Sequence, residues 1–261
     1  SSYIIFMERS FHVPFSPERN TGLMVFDDVL KGRLGWQLGV FRNGPETGDD
    51  VSAGEDYNVT LRVGGLAMRN ADASRLLHLG AGFSRRSPKA DEYKITSRAS
   101  SHLSPKYVST GTLTDVDNVQ LFNAEVSLML GPLNIQGERI NALVDIGESQ
   151  NFSFSSYYGQ VSYFLTGEQR VYKNAYSGFD RVKPKSNVGE AGGKGAWEVA
   201  FRYSTINLND GPITGGKMNE ITFGVNWYLN PATRIMANYV NADLDGVGNV
   251  GIIQTRFQVD F

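Results

Sequence analysis

The sequence predicts an all-β protein, an antiparallel transmembrane β-barrel, from three observations. Apolar and polar residues alternate with a period of two along almost the whole chain, a pattern typical of strands with two unlike faces. The composition, with 29 glycines, 11% aromatic residues and 20% charged residues, favours many short strands over helices. The predicted connections are short turns on one side of the sheet and long polar loops on the other, which is how barrels of the outer membrane join their strands.

Eleven strands follow from the alternation, and the last one shows it most clearly. There Ile253, Phe257 and Val259 face one way, whereas Gln254 and Arg256 face the other. The apolar faces of earlier strands include, in chain order, Leu34, Trp36, Leu38 and Val40; Tyr57, Val59, Leu61 and Val63; Leu77, Leu79, Ala81 and Phe83; Trp197, Val199, Phe201 and Tyr203; and Ile221, Phe223, Val225, Trp227 and Leu229. The strands are predicted at residues 22–30, 33–43, 57–67, 76–86, 119–130, 133–146, 154–165, 195–206, 219–229, 234–243 and 251–261.

The connections between these strands differ in length. Gly131 and Pro132 predict a tight turn, and a phase slip between Ile135 and Ile140 predicts a β-bulge at Gly137. Short connections are expected at residues 31–32, 131–132 and 230–233. Long polar loops are expected at residues 44–56, 87–118 and 207–218.

The number of predicted strands is odd, whereas a closed single-chain bacterial barrel has an even number. Either one strand is missed or added, or the chain starts partway round a longer barrel. Residues 1–20 contain Pro14 and Pro17 and show no alternation, so we expect a loop there. A chain that begins in a loop favours the second explanation, with N-terminal strands missing from this sequence.

Aromatic residues gather near strand ends on the apolar face, as in the girdle of a barrel at the membrane interface. The alternative is ordinary packing of sheet on sheet, in a soluble or secreted β-sandwich or barrel that binds carbohydrate or serves adhesion. The opposite face is too polar for a second packed layer, which favours the membrane. The girdle residues are Trp36, Tyr57, Phe83, Tyr157, Tyr163, Trp197, Tyr203, Trp227, Tyr239 and Phe261.

Several classes of protein are disfavoured by the composition. Cysteine is absent, which removes disulfides, thiolate metal sites and thiol nucleophiles. The net charge of −2 gives no reason to expect nucleic acid as a partner. No apolar run approaches the ~18 residues of a transmembrane helix. His12, His78 and His102 are isolated, so we expect no catalytic triad, no metal site and no cofactor.

Seven features of the sequence together carry a family resemblance: Phe6-Met7-Glu8-Arg9-Ser10, Phe15-Ser16-Pro17-Glu18-Arg19, Phe164-Leu165-Thr166-Gly167-Glu168, Phe179-Asp180-Arg181-Val182-Lys183-Pro184, Gly195-Ala196-Trp197-Glu198, Asn226-Trp227-Tyr228-Leu229-Asn230-Pro231 and the closing Phe261. In them the chain resembles the phosphate-selective porin O and P family over essentially its whole length. That resemblance implies a sixteen-stranded trimeric barrel in the outer membrane of Gram-negative bacteria, with about eleven strands and one domain, 1–261, present here. It also implies that residues 1–20 fold into the lumen as a loop and that residues 166–194 form a long periplasmic connection.

The charges that line the water path decide what a porin conducts. The polar faces of the strands carry both signs, whereas residues 83–107 and 168–186 carry an excess of basic residues. Our hypothesis is that these two segments, with Arg9 and Arg19 at the constriction, form an anion path. The alternative is that the basic loops are solvated or bind lipopolysaccharide phosphates. The predicted pore-lining basic residues are Arg33, Arg62, Arg86, Arg98, Arg181, Lys183, Lys185 and Arg202.

The predicted function is passive diffusion of small hydrophilic solutes, with a preference for anions. Phosphate or polyphosphate would suit arginine, whose planar fork donates two hydrogen bonds. The family resemblance implies a ladder of arginines for phosphate selectivity, but Arg85, Arg86 and Arg98 are too few and wrongly spaced. A general anion-preferring pore is therefore as compatible with the sequence. The expected partners are outer-membrane lipid, lipopolysaccharide, small anions and two further copies of the chain in a homotrimer.

Overall fold

The computed structural model describes residues 4–16, 20–42, 57–147, 150–174 and 178–260. Within these ranges the chain is built of strands, with only two one-turn 3₁₀ helices at Val13–Phe15 and Lys89–Asp91. No helix in the described part of the chain is long and apolar enough to cross a membrane. The strands are β1 Gly22–Val29, β2 Leu34–Arg42, β3 Tyr57–Arg69, β4 Arg75–Arg86, β5 Thr96–Arg98, β6 Lys106–Ser109, β7 Val116–Leu130, β8 Leu133–Ile146, β9 Gln150–Phe164, β10 Tyr172–Asn174, β11 Gly178–Phe179, β12 Ala196–Asp210, β13 Ile213–Asn230, β14 Thr233–Leu244 and β15 Gly248–Val259.

Eleven of the described strands form one antiparallel sheet in the order β1-β2-β3-β4-β7-β8-β9-β12-β13-β14-β15. Each strand therefore pairs with its sequence neighbour, and two short hairpins, β5–β6 and β10–β11, lie in the connections. The predicted eleven-stranded antiparallel sheet is confirmed. We call the end of the sheet where β4 leads into residues 87–115 the upper end. The opposite end, where β9 leads into residues 165–195, is the lower end.

Two expectations about the connections are wrong. Residues 207–218 are not a long loop, because β12 and β13 continue through them and turn at Gly211, whose φ is +53°. Asn209 pairs with Thr214 and Asp210 with Ile213, so these polar residues extend the hairpin. The short and long connections also do not lie at opposite ends of the sheet. A short turn joins β14 to β15 at the upper end, and a long connection leaves the lower end after β9.

The predicted β-bulge at Gly137 is also wrong. The register of β8 runs without interruption through Gly137, which pairs with Val126 on one side and Gly159 on the other. The apolar phase slips because the apolar residues change faces. Ile135 points outward and is 42% exposed, whereas Ile140 points inward and is buried.

The outer face of the sheet is apolar and exposed, as the membrane interpretation predicts. Phe223, Val225 and Tyr239 are exposed on this face, although they are large apolar or aromatic side chains. Near the lower end, Trp197 stacks on Trp227 with ring centroids 5.0 Å apart. Tyr157 and Tyr203, 6.3 Å apart, form a second pair. The six-residue rise from Trp197 to Tyr203 spans about 20 Å along the strand, close to the height of an outward apolar band.

The inner face is divided into an apolar upper part and a polar lower part. The polar part includes Glu198, Arg202 and Glu220, each less than 5% exposed. The apolar part packs against two inward segments, residues 4–16 and 87–115, and together they bury a cluster that we call the upper core. Its members are Phe11, Phe15, Ile95, Ala99, Val108, Leu113, Val116, Val119, Leu121, Ile140, Ala142, Val144, Phe152, Phe154, Ile206, Leu208, Met218 and Ala242.

Candidate pore-lining site

Three segments cover the inner face and form the candidate site. The first inner segment comprises residues 4–16, and the second comprises residues 87–115, which include the β5–β6 hairpin. The third comprises residues 165–174 and 178–195, which include the β10–β11 hairpin. Each is held by side chains that the strands direct inward.

The first inner segment is held through its backbone. The carbonyl oxygens of four of its residues accept hydrogen bonds from arginine and asparagine side chains on four neighbouring strands, β12 to β15. Since strands place alternate residues on one face, these four donors share the inner face. The bonds join Arg234 Nη1 to the Ile4 oxygen at 2.8 Å, Asn226 Nδ2 to that of Ile5 at 2.8 Å, Arg256 Nη2 to that of Met7 at 3.0 Å, and Arg202 Nη1 to that of Glu8 at 3.0 Å.

Arg202 links the first and second inner segments. Besides the Glu8 carbonyl, it donates from Nη2 to the Ser100 hydroxyl at 2.9 Å, and its guanidinium lies 4.6 Å above the Phe6 ring. Its counter-ion is Glu220, with 3.6 Å between Nη2 and Oε1. Glu220 Oε2 in turn accepts a 2.6 Å hydrogen bond from the Ser100 backbone nitrogen. Sequence reasoning assigned Arg202 to the water path, but it is only 3% exposed and its donors serve the two segments.

The third inner segment is tied down by a buried ion pair. Arg170 Nη2 donates to both carboxylate oxygens of Glu198, at 2.8 and 3.0 Å. Tyr228 and Asn226 donate to the same carboxylate at 2.9 and 3.0 Å. Burial works against the charge of Arg170, but Glu198 and Tyr228 together outweigh burial and raise the pKa of the guanidinium above its ordinary value. These four hydrogen bonds from three side chains thus satisfy one buried carboxylate.

A second hydrogen-bond network reaches the third inner segment from strands β3, β4 and β7 of the same inner face. The His78 ring donates to or accepts from the Tyr172 hydroxyl at 2.9 Å, and its Nε2 lies 3.0 Å from Glu125 Oε1. Glu125 is also paired with Arg62. Burial raises the pKa of Tyr172 to about 12, so its hydroxyl stays protonated at neutral pH. Arg62 on β3 is neutralised by Glu125, which lies two strands away on the same inner face, on β7.

Two adjoining cavities beside these segments form the candidate site, and a third opens beside β15. The upper cavity, about 640 Å³, lies between the first and second inner segments. Among the described residues, four cations line it and Glu8 is the single carboxylate that does so; the cations are Arg9, Lys94, Arg98 and Lys106. Arg98 Nη1 donates to the carbonyls of His102 and Ser104, at 2.5 and 3.2 Å.

The lower cavity, about 300 Å³, lies between the first inner segment and the wall formed by β8, β9 and β12. It shares Glu8, Arg9 and Ser10 with the upper cavity. Its wall carries Glu138, whose Oε1 accepts a 2.8 Å hydrogen bond from the Tyr158 hydroxyl. The lining is completed by Ile4, Ile5, Phe6, His12, Gln136, Gln160, Arg170, Phe179 and Arg202.

The predicted pore-lining residues are thus only partly brought together. Arg9 lines both cavities and Arg98 lines the upper one, whereas Arg19 lies outside the described residues. Arg33 is exposed in the turn after β1, and the Nε of Arg86 is buried without a hydrogen-bond partner in the described chain. The third inner segment holds Arg181, half-buried, and Lys183 and Lys185, both exposed and lining neither cavity.

Sequence reasoning missed the acidic part of the site. Glu8 and Glu138 line the lower cavity, and His12 lies beside Glu138 with 3.7 Å between Nε2 and Oε2. Glu138 follows directly after Gly137, so the wrongly predicted bulge would have moved it to the outer face. Uninterrupted alternation through Gly137 is the signal that would have found it.

Comparison with known proteins is consistent with this architecture. The family model described as phosphate-selective porin O and P matches residues 1–261. Porin O of Pseudomonas aeruginosa is 28% identical over 209 residues, which cover 68% of this chain and 46% of that protein. An uncharacterized protein of Caulobacter vibrioides is 26% identical over an alignment of 277 residues, which covers 98% of this chain and 54% of that protein. The chain therefore spans about half the length of the curated relatives that it matches. With an apolar outer face, a polar inner face and a family match along its whole length, the chain belongs to the phosphate-selective porin O and P family, the outer-membrane porins of Gram-negative bacteria.

Proposed function

We propose that the chain forms part of the wall of a water-filled channel through which small hydrophilic solutes cross the outer membrane by passive diffusion. The observation that carries this proposal is the pair of adjoining cavities on the inner side of the sheet, while the apolar outer face is exposed. Membership in a porin family supports a channel rather than an enzyme. A soluble carbohydrate-binding or adhesion module would bury its aromatic rings, whereas Phe223 is 52% exposed here.

The channel prefers anions in this proposal because the upper cavity concentrates positive charge. Its four cations outnumber the single carboxylate Glu8 among the described lining residues. Several weak charged sites in series let an ion enter and still leave. The inward arginines of the strands add little, since Arg62 is paired with Glu125 and Arg202 with Glu220. Phosphate is then one anion among several rather than a selected substrate.

The arrangement in the membrane is also part of the proposal. The lower end, with the third inner segment, faces the periplasm, and residues 1–261 form one barrel domain with further strands of the same protein. Outer-membrane lipid and lipopolysaccharide contact the outer face, small anions pass through the lumen, and three copies assemble. In gel electrophoresis without heating, we expect a band with the mobility of a trimer that resists SDS, and heating should convert it to the monomer.

Neutralising the upper cavity tests the anion preference. With Lys94 and Lys106 both changed to glutamine, we expect the anion-to-cation permeability ratio to fall by roughly half, because two of the four described cations are removed. The measurement is the reversal potential of the complete protein in a planar bilayer under a salt gradient, with phosphate added as a competing anion.

The matched control changes Lys31 and Lys194, which are exposed and line neither cavity, to glutamine. This variant should keep the wild-type reversal potential. A wild-type channel without anion preference contradicts the proposal, as does a Lys94/Lys106 variant with an unchanged reversal potential.

The third inner segment makes a separate prediction. Changing Lys183 and Lys185 together to glutamine should shift the reversal potential toward cations, but less than the changes in the upper cavity. Both side chains are exposed, so salt screens them within about 10 Å at 0.1 M. Recording the same variant at low and high salt checks this expectation, and an unchanged reversal potential at low salt removes the segment from the ion path.

A further inference from the structure

Glu138 stands apart from the other glutamates on the inner face. Three of these, Glu125, Glu198 and Glu220, each have an arginine counter-ion. Glu138 has no such partner among the residues that the structure describes. Its side chain is only 24% exposed, and it accepts one hydrogen bond, from Tyr158.

The neighbouring histidine does not supply the missing charge at neutral pH. His12 Nε2 is 3.7 Å from the Glu138 carboxylate. Burial lowers the pKa of His12, an effect that outweighs the attraction of Glu138. Its Nδ1 is buried without a hydrogen-bond partner in the described part of the chain. The carboxylate of Glu138 is therefore partly withdrawn from water and not neutralised, which is costly unless a cation comes to it.

The opposite charge is present in the same cavity. Arg9 is exposed on the first inner segment and forms no ion pair with any described residue. An arginine fork can hold a carboxylate through two hydrogen bonds. The amides of Gln136 and Gln160 line the same cavity and are joined by a 2.6 Å hydrogen bond. They offer further donors and acceptors to a solute. The lower cavity, about 300 Å³, thus places two carboxylates, Glu8 and Glu138, together with one cation, Arg9, that has no ion pair to a described residue.

We infer that the lower cavity binds small zwitterionic solutes, of the class of α-amino acids, with the ammonium at Glu138 and the carboxylate at Arg9. This inference rests on the proposed channel function and names a substrate class for it. A phosphate dianion would meet both Glu8 and Glu138 here, and like charges at close range repel. An uncharged polyol would leave the charge of Glu138 unneutralised. A zwitterion compensates both groups at once.

The test compares two solutes of similar size, zwitterionic L-threonine and uncharged erythritol. Both are supplied radiolabelled, at low concentration, to liposomes that contain the complete protein. We expect threonine to enter several-fold faster than erythritol and to be competed by unlabelled threonine. Changing Glu138 to glutamine should reduce threonine entry to the erythritol rate without changing erythritol entry. Arg9→Gln, on an exposed side chain whose loss disturbs no packing, should act in the same way.

Asp117→Asn is the matched control, since Asp117 is exposed at the start of β7 and lines neither cavity. It should leave both rates unchanged. Equal entry of the two solutes through the wild-type protein overturns the inference, and so does a threonine preference that survives both Glu138→Gln and Arg9→Gln. Saturable entry of erythritol alone overturns it in favour of a polyol site. If neither solute enters faster than into protein-free liposomes, the proposed channel function itself fails.

Discussion

Replacing Arg202 with methionine should widen the channel and destabilise the protein at the same time. The change removes the bonds to the Glu8 carbonyl and the Ser100 hydroxyl, so both the first and the second inner segment lose an anchor. It also leaves Glu220 as a buried, unpaired charge, since its carboxylate is less than 5% exposed. Breaking a buried pair by removing one partner costs about 3–5 kcal/mol. We expect a higher single-channel conductance and a lower temperature of unfolding in SDS.

Two further variants separate the loss of charge from the loss of the anchor. Arg202→Lys keeps a positive charge near Glu220, but an ammonium lacks the fork that reaches both segments, so an intermediate conductance is expected. Changing Arg202 and Glu220 together to methionine removes the unpaired charge and should recover stability. It should not recover the wild-type conductance, because Ser100 loses both of its partners. Wild-type conductance in Arg202→Met would show that the pair does not position the segments.

The strands were predictable because their signal is local. A period of two identifies a strand from its own residues, and an outer face in contact with lipid keeps that period clean. Trp197, Phe201 and Tyr203 all point outward as the alternation predicts. Adjacent strands then pair in sequence order, so the sheet follows once its strands are known.

The inner face was less predictable because its polarity depends on what folds against it. Below Gly137 the inward residues of β8, Asn134 and Gln136, are polar. Above it, Ile140 and Val144 are buried in the upper core against residues from distant loops. The sequence offers no local sign that residues 87–115 return to the lumen. The inward apolar residues of β8 above Gly137 therefore shift the apolar phase in the way a bulge would. As a result, Glu138 was not among the predicted pore-lining residues.

The role of the inward arginines depended on their partners. Arginine on a polar face was correctly expected to face inward, as Arg62 and Arg202 do. Whether such a group attracts anions depends on a carboxylate far along the chain, since Arg62 pairs with Glu125 and Arg202 with Glu220. The mixed charge of the strand faces was visible in the sequence, but the register that joins each pair was not. Sequence reasoning therefore overestimated how many cations are available to a solute.

Changing Glu198 to glutamine should release the third inner segment. The carboxylate is fully buried and accepts hydrogen bonds from Arg170, Tyr228 and Asn226. A neutral amide leaves the buried guanidinium of Arg170 without its counter-ion, at a cost of about 3–5 kcal/mol. The segment should then leave the inner face more often, so that its backbone enters the trypsin active site more readily and cleavage after Arg181 and Lys185 becomes faster. The measurement is the rate of cleavage of the complete protein in detergent micelles, followed by mass spectrometry of the fragments.

The matched control is Glu190→Gln, in the same segment. Glu190 is exposed, and the described bonds of its carboxylate are to Asn187 alone, so this change should leave the cleavage rate near that of the wild type. Changing Arg170 and Glu198 together to methionine removes both charges and should restore most of the protection, because no unpaired ion remains buried. That result would mean that each of the two buried charges is needed mainly as the counter-ion of the other. Equal cleavage rates for Glu198→Gln and Glu190→Gln would instead mean that apolar contacts, such as those of Val182 with Phe164 and Tyr228, hold the segment without it.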